Sequence, residues 1–182
     1  SVAFTWDLRW AEWAEKQWRS VAPVKIGGPA FNSPGGYFVP GMYMKKGYVI
    51  TSRGCPNRCW FCAVPKREGY ALRELPVIDG WIVTDDNLLA CSDRHIKEVF
   101  DMLKRQPDRP QFVGGLEAKI LTSERAKQLK ELRPESLFFA YDTPDDLEPL
   151  RQAGKYLFDA GFTKASHELR CYVLIGYKGD SF

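Results

Sequence analysis

The sequence has no apolar run approaching the ~18 residues that a membrane-spanning helix needs. Its opening residues, SVAFTWDLRW, lack the basic segment followed by an apolar one that marks a secretory leader. Excess charge is small: 26 Lys and Arg against 23 Asp and Glu leave +3, too mild for the basic patch or stripe of a nucleic-acid binder. Only two histidines are present; His95 and His167 lack metal-ligand spacing, and each is expected on the surface of a helix or loop. There is no internal repeat and no low-complexity segment. Five cysteines, an odd number with three clustered, exclude a regular disulfide framework and point to metal or catalysis in a reducing compartment. The chain therefore reads as soluble and cytoplasmic, with no membrane partner.

What is present is enough for the core of one domain: 182 residues, 45% hydrophobic and 14% aromatic. Short apolar, β-branched or aromatic runs recur at YVITS (48–52), WIVTDD (81–86), QFVGG (111–115), SLFFAYD (136–142) and RCYVLIGY (170–177). None alternates cleanly with polar residues, which is the pattern of strands covered on both faces. Between the later runs lie apolar stripes at helical period: Ile96, Val99, Phe100 and Leu103; Ala126, Leu129 and Leu132; Leu147, Leu150, Ala153 and Leu157. Ser92, Thr122 or Ser123, and Thr143 with Pro144 and Asp146 supply helix starts, and Gly161 a helix end. Strand and helix in alternation imply a parallel sheet, either doubly wound or a barrel. In both, ligands gather at the carboxyl ends of the strands. Those ends read RGCPNRCWFC, TDDN, GGLE, AYD and GYKGD.

The first residues differ. Val2–Phe4 as a strand, a Trp-rich helix over about 6–18, and a second strand ending VKIGGP make residues 1–28 the tail of a separate βαβ unit. Trp6, Trp10 and Trp13 at helical spacing are expected in core or inter-domain packing. Residues 29–47, rich in Gly and Pro, form a linker, and 48–182 the main domain. The chain begins at Ser1 rather than Met and stops just after a strand-like run, so it is expected to be an internal fragment of a longer protein.

Cys55, Cys59 and Cys62 are spaced C-x3-C-x2-C. Thiolates bind soft metals, and three on a tight loop hold three corners of a site while leaving a fourth position open. A structural zinc site asks for four donors, and no second pair follows here. Cys91 and Cys171 stand alone and are expected as small buried residues. Arg53 and Arg58 flank the triplet, either acting on a bound group or serving as solvated or backbone-capping residues.

CPNRCWFC, which follows a strand and opens a βα series, resembles the C-x3-C-x-Φ-C signature of the radical S-adenosylmethionine (SAM) superfamily, and the likeness runs over about residues 48–180. The resemblance implies a [4Fe-4S] cluster on Cys55, Cys59 and Cys62, its fourth iron chelated by the amino and carboxylate groups of SAM, with Phe61 packing toward the adenine. It implies an α/β fold, a partial parallel (β/α)6-type, TIM-like barrel, whose sixth strand is expected beyond Phe182. Where the family often carries Gly-Gly-Glu to bind the SAM ammonium, this chain has TDDN; Asp85, Asp86 and Asn87 are the expected substitutes, because an ammonium needs acceptors. GGLE at 114–117 resembles that motif one strand late, so Glu117 is either a SAM contact or the end of a close backbone packing site. Tyr141 and Asp142 match the family's ribose contacts, Asp142 alternatively starting a helix, and Ile175 and Gly176 match its adenine contacts. VKIGGPAF resembles the end of the cobalamin-binding-like domain that precedes some radical SAM cores. The chain has no Asp-x-His-x-x-Gly motif, so cobalamin itself is not expected.

By this resemblance the protein is an enzyme that cleaves SAM reductively to a 5′-deoxyadenosyl radical, which abstracts hydrogen from a substrate. A one-electron donor such as flavodoxin or ferredoxin is the implied partner. The substrate is a small molecule, a peptide or tRNA; Lys45, Lys46, Lys66, Arg67 and Arg73 either meet phosphates or form a solvated face. The alternative is an iron–sulfur or zinc-binding electron-transfer or structural module, its site closed by a fourth protein ligand such as Cys91.

Overall fold

Runs of β-branched and aromatic residues need apolar cover, and in the computed structural model of this chain, which describes residues 8–26, 31 and 44–176, they pair as a parallel sheet. The chain divides into two compact units, Ser1–Tyr43 and Met44–Phe182. In the first, α1 (Leu8–Trp18) buries none of its residues, and Trp10 meets Trp13 edge to face at 5.8 Å. The expected burial of these two tryptophans is not found. Residues 23–26 form no strand, while Val2–Phe4 and Trp6 lie outside the described residues.

The second unit runs β1 (Tyr48–Val49), β2 (Ser52–Arg53), α2 (Val64–Glu68), β3 (Arg73–Glu74), β4 (Ile82–Val83), α3 (Asp93–Lys104), β5 (Gln111–Phe112), α4 (Ser123–Glu131), β6 (Ser136–Tyr141), α5 (Leu147–Asp159) and β7 (Leu169–Val173). All five strands of the main sheet are parallel in the order β1-β4-β5-β6-β7. Order in the sheet follows order in the chain, without the reversal that makes the switch point of a doubly wound sheet. Val49, Val83, Phe112 and Leu137 bury one row of side chains along the sheet. Against it lie Ile96, Val99, Phe100 and Leu103 of α3, Ala126 and Leu129 of α4, and Ala153 and Leu157 of α5. Phe100 crosses Phe112 edge to face at 6.3 Å, and burying each such ring contributes roughly 2–3 kcal/mol.

The helix boundaries follow from caps. Ser92 Oγ accepts from the His95 amide and Thr122 Oγ1 from the Arg125 amide. Before α5, Thr143 and Asp146 form a reciprocal capping box. After it, the Gly161 amide bonds to Phe158 O and the Phe162 amide to Leu157 O, with Gly161 at φ 97°. This is the paired closure of a Schellman motif, with Phe162 packed back on the last turn.

Several expectations fail for local reasons. The run 48–52 is not one strand: it breaks after Val49, and Ser52–Arg53 pairs antiparallel with Arg73–Glu74. That hairpin encloses residues 54–72, cysteine loop included. β7 is an edge, since no described strand pairs on its outer side, and four of its five residues are exposed; Cys171 is therefore exposed rather than buried. His95 is buried at the start of α3 rather than on the surface, and Leu147, placed in the α5 stripe, is exposed. Cys91, as expected, is buried. Among the described residues no helix is long and apolar enough to cross a membrane.

Two buried carboxylates hold the unit at its two rims. At the carboxyl end, Asp85 Oδ1 accepts from the Thr51 amide (2.6 Å), and Oδ2 from Thr51 Oγ1 (2.5 Å) and Ser52 Oγ (2.8 Å). Burial pushes its carboxyl up even against these bonds. At the other end, Glu168 takes Arg109 at 3.0 Å and Lys130 at 3.2 Å, and Arg109 also donates to the carbonyls of Arg133 and Pro134. Burial pushes Glu168 up, but the bonds from Lys130 and Ser166 and the charges of Lys130 and Arg109 outweigh it and hold the carboxyl below its usual range.

Removing Asp85 strands three buried donors, so Asp85→Ala is expected to cost about 2–4 kcal/mol in chemical denaturation. Asp85→Asn keeps an acceptor for the Thr51 amide and lets the hydroxyls rotate to accept, so it costs about 1 kcal/mol or less. Equal losses in the two variants would mean that the charge itself is needed. For Glu168, a depressed carboxyl stabilises the fold above the ordinary glutamate value of about 4.5, and this is lost as pH falls through the lower folded value. The stability gap between wild type and Glu168→Gln is accordingly expected to be constant near neutrality and to shrink in acid. A gap independent of pH down to about 3 would refute that assignment.

Candidate functional site

Beyond β1 and β4 the chain is laced residue by residue. Asp85 holds Thr51 and Ser52; Asp86 Oδ2 accepts from the Gly54 amide at 2.9 Å and its Oδ1 lies 3.6 Å from Arg53 Nη1; Asn87 Nδ2 reaches Cys55 Sγ at 3.5 Å. Three consecutive residues after β4 thus orient five after β1. Two glycines make the fit possible. Gly54 has φ +84°, and a Cβ there would stand 2.3 Å from Ala71 O; a Cβ on Gly114 would stand 2.1 Å from Asp85 O. The close packing reading of Gly114 therefore holds, with Glu117 carried just beyond it.

Past Gly54 the loop runs Cys55, Asn57, Arg58, Cys59, Trp60, Phe61 and Cys62 into α2, where Pro65 sits in the first turn and Gly69, at φ 77°, closes the end. Trp60 meets Phe61 edge to face at 5.4 Å and Arg58 lies over the Tyr70 ring at 4.9 Å. A cleft of about 320 Å³ opens over this loop. All three cysteines and Phe61 line it, together with Asp86 and Asn87 after β4, the stretch from Gly114 to Lys119 after β5, and Ala140, Asp142, Thr143, Asp146 and Pro149 at and beyond the end of β6. Four strand ends converge on one site. The fifth does not: Ile175 and Gly176 are outside the lining, Ile175 being 63% exposed, and Tyr141 is outside it as well. Asp85 too is outside, committed below the cleft to Thr51 and Ser52.

No protein-family model matches the chain, and no curated protein matches it.

The cleft's chemistry has to be read from its own groups. Asp146 Oδ2 accepts from the amides of Asp142 and Thr143 and from Thr143 Oγ1, while its Oδ1 pairs with Lys119 at 3.0 Å. Burial raises this carboxyl, but the Lys119 bond and the amides prevail and hold it low; Lys119 is held high by the same bond. Asp142 is pushed up, first by burial and then by the charge of Asp146. Two neighbouring carboxyls are thereby pushed in opposite directions. Asn87 Nδ2 also donates to Glu117 Oε2 at 2.6 Å, and Asn87 Oδ1 is buried with no partner.

Among the thiols, Cys59, whose residue is exposed at the loop tip, is still pushed up, first by partial desolvation of its sulfur and then by the charges of Cys62 and Cys55. Lys119 works the other way on Cys59, and a cation bound at its sulfur would favour the thiolate. Cys91 Sγ lies 4.0 Å from Asn87 O, outside the cleft lining, and burial pushes this thiol up to about 11. Among the described residues no three His, Cys, Asp or Glu side chains are gathered so as to hold a single metal ion. Lys45, Lys46, Lys66 and Arg73 are outside the cleft, Arg73 being paired with Glu68 at 2.7 Å.

Lys119, Asp146, Asn57 and Trp60 were not singled out from sequence. Lys119 stands two residues past Glu117, and Asp146 was read only as a cap; neither has a local signal for their ion pair, which joins residues 27 apart. In the metal-free chain the alkylation of Cys59 by iodoacetamide, followed by mass spectrometry, is expected to rise only above the ordinary cysteine range. Replacing Cys55 and Cys62 with Ala should bring that midpoint down. A midpoint at or below the ordinary range in the unmodified chain would contradict the crowding.

Proposed function

We propose that the chain is the catalytic core of a radical SAM enzyme. One observation carries the reading: the three thiols of the C-x3-C-x2-C loop line the same cleft as Glu117, Asp142 and a buried, unpartnered acceptor, Asn87 Oδ1. The donor set fits the group. Three soft ligands, with no fourth cysteine in the lining among the described residues, would leave one iron open, and the acceptors in the same cleft suit an ammonium. The strand order, sequential and without reversal, supports a partial (β/α)6-type barrel as the scaffold.

In this reading Cys55, Cys59 and Cys62 hold a [4Fe-4S] cluster. When bound, the reduced cluster supplies the electron that splits SAM into methionine and a 5′-deoxyadenosyl radical able to take hydrogen from a substrate. The remaining roles fall to the chain. Asn87 Oδ1 and the Glu117 carboxylate accept the SAM ammonium, and the Lys119–Asp146 pair ties the segment after β5 to the one after β6. Phe61, Trp60, Leu116 and Pro149 give the cleft apolar surface that keeps water from the reacting atoms. Asp85 supports the loop stem rather than the cofactor. Cys59 is exposed, which leaves the loop end within reach of an electron donor.

A zinc or electron-transfer module finds less support. Zinc asks for four donors around one ion, at about 2.3 Å for sulfur, whereas a cluster spreads its thiolates over different irons. Cys91, the fourth ligand that a closed site would use, is buried outside the cleft.

Anaerobic reconstitution with iron and sulfide is expected to give about four irons per chain. Adding SAM should change the EPR spectrum of the reduced cluster, and dithionite with SAM should release 5′-deoxyadenosine. Ala at Cys55, Cys59 or Cys62 abolishes these results, and Cys91→Ala leaves them intact. A cluster indifferent to SAM, or one lost in Cys91→Ala, would overturn the proposal.

A further inference from the structure

Asn87 makes contacts that the roles above do not use. Its side chain is nine-tenths or more buried, and the Nδ2 amide faces two acceptors at once, Glu117 Oε2 at 2.6 Å and Cys55 Sγ at 3.5 Å. Each of the two amide hydrogens has one of these to point at. The chemistry also fixes the orientation of the amide, since a flipped side chain would set its oxygen against a carboxylate and a sulfur. Oδ1 is therefore the end left over, and it is the buried atom without a partner. Asn87 leads straight into a 3-10 turn, Leu88–Ala90, whose first two residues are buried, so the side chain is carried on a fixed piece of backbone.

We propose that Asn87 is a positioning residue that links the two halves of the site: its amide N–H sets the reduction potential of the cluster through Cys55, and its bond to Glu117 fixes the oxygen to which the proposed function already gives the ammonium. The inference rests on the radical SAM reading and assigns within it a role to one side chain. A hydrogen bond to a ligating thiolate draws electron density from the sulfur, which favours the more negative, reduced cluster and raises its potential. The same amide, held by Glu117, fixes the direction of its oxygen, the buried acceptor without a partner. Occupation of the ammonium site and electron uptake are thereby coupled through one rigid side chain.

The test uses the reconstituted chain and two variants. Asn87→Leu removes both the donor and the acceptor, and Asn87→Asp keeps size and shape while turning the donor into an acceptor. Both are expected to lower the ratio of reduced to oxidised cluster at a fixed applied potential, read by EPR, by about tenfold, which is about 59 mV for a one-electron couple. In Asn87→Leu the SAM concentration that half-converts the EPR signal is expected to rise about tenfold as well, the usual scale for losing a bond to a charged group. Should Asn87→Leu fail to fold, Asn87→Asp carries the potential measurement alone. If a folded variant loads its cluster and keeps the wild-type potential, Asn87 is merely structural and the proposal is overturned. If wild type itself binds no cluster that responds to SAM, the functional reading fails first.

Discussion

The carboxylate of Asp85 is the constraint on which the rest of this site depends. A charge taken that far from water is tolerated only when its lone pairs are filled, and here an amide and two hydroxyls fill them, all from Thr51 and Ser52. Because those donors belong to the residues just past β1 and the acceptor to the residues just past β4, the two strand ends are locked in register where both leave the sheet. The cysteine loop and two polar residues of the cleft, Asp86 and Asn87, follow within a few residues of that lock. Asp86 takes Gly54 and Arg53, Asn87 takes Cys55, and the cysteine loop departs from a stem that cannot shift without breaking several buried bonds.

Around the loop, the same balance of burial against partners sorts the acids. Asp146, filled by amides and Lys119, stays low; Asp142, nearby and pushed first by burial, goes up. Cys59 is pushed up too, first by burial and then by the charges of Cys62 and Cys55, with Lys119 opposing them. The acceptors and the gathered thiols share the cleft with two cations, Arg58 and Lys119, the latter paired with Asp146. Other basic residues singled out from the sequence, Lys45, Lys46 and Arg73 among them, lie outside it.

Much of the fold was legible because period and punctuation act locally. The stripes through Ile96 and Leu103 or Ala153 and Leu157, and the caps at Ser92, Thr122 and Thr143, need only the next few residues to take effect, and each appears where it was read. What was illegible involves distant partners. The split of residues 48–52 into two strands depends on Arg73 and Glu74 pairing back. Burial of His95 depends on what packs over the start of α3, and exposure of Cys171 on β7 lying at the sheet's edge. Phe61, Asp86, Asn87, Glu117 and Asp142 were all singled out from the sequence and do share one cleft with the cysteines. Asp85, Tyr141, Ile175 and Gly176 were singled out by the same reasoning and do not.

By itself the sequence determined the alternation of strand and helix, hence a parallel sheet, and the crowding of three soft ligands into a short loop after the first strand, since both are properties of neighbouring residues. Only the tertiary structure decided which of the polar residues at the strand ends face the thiols and which hold the backbone. In the run Thr84-Asp85-Asp86-Asn87 the first aspartate turns to the stem, the second to the loop's start and the asparagine to a cysteine and a glutamate. Three adjacent side chains point to different tasks because each is drawn to donors or acceptors that lie 30 or more residues away along the chain, and only folding brings those within reach.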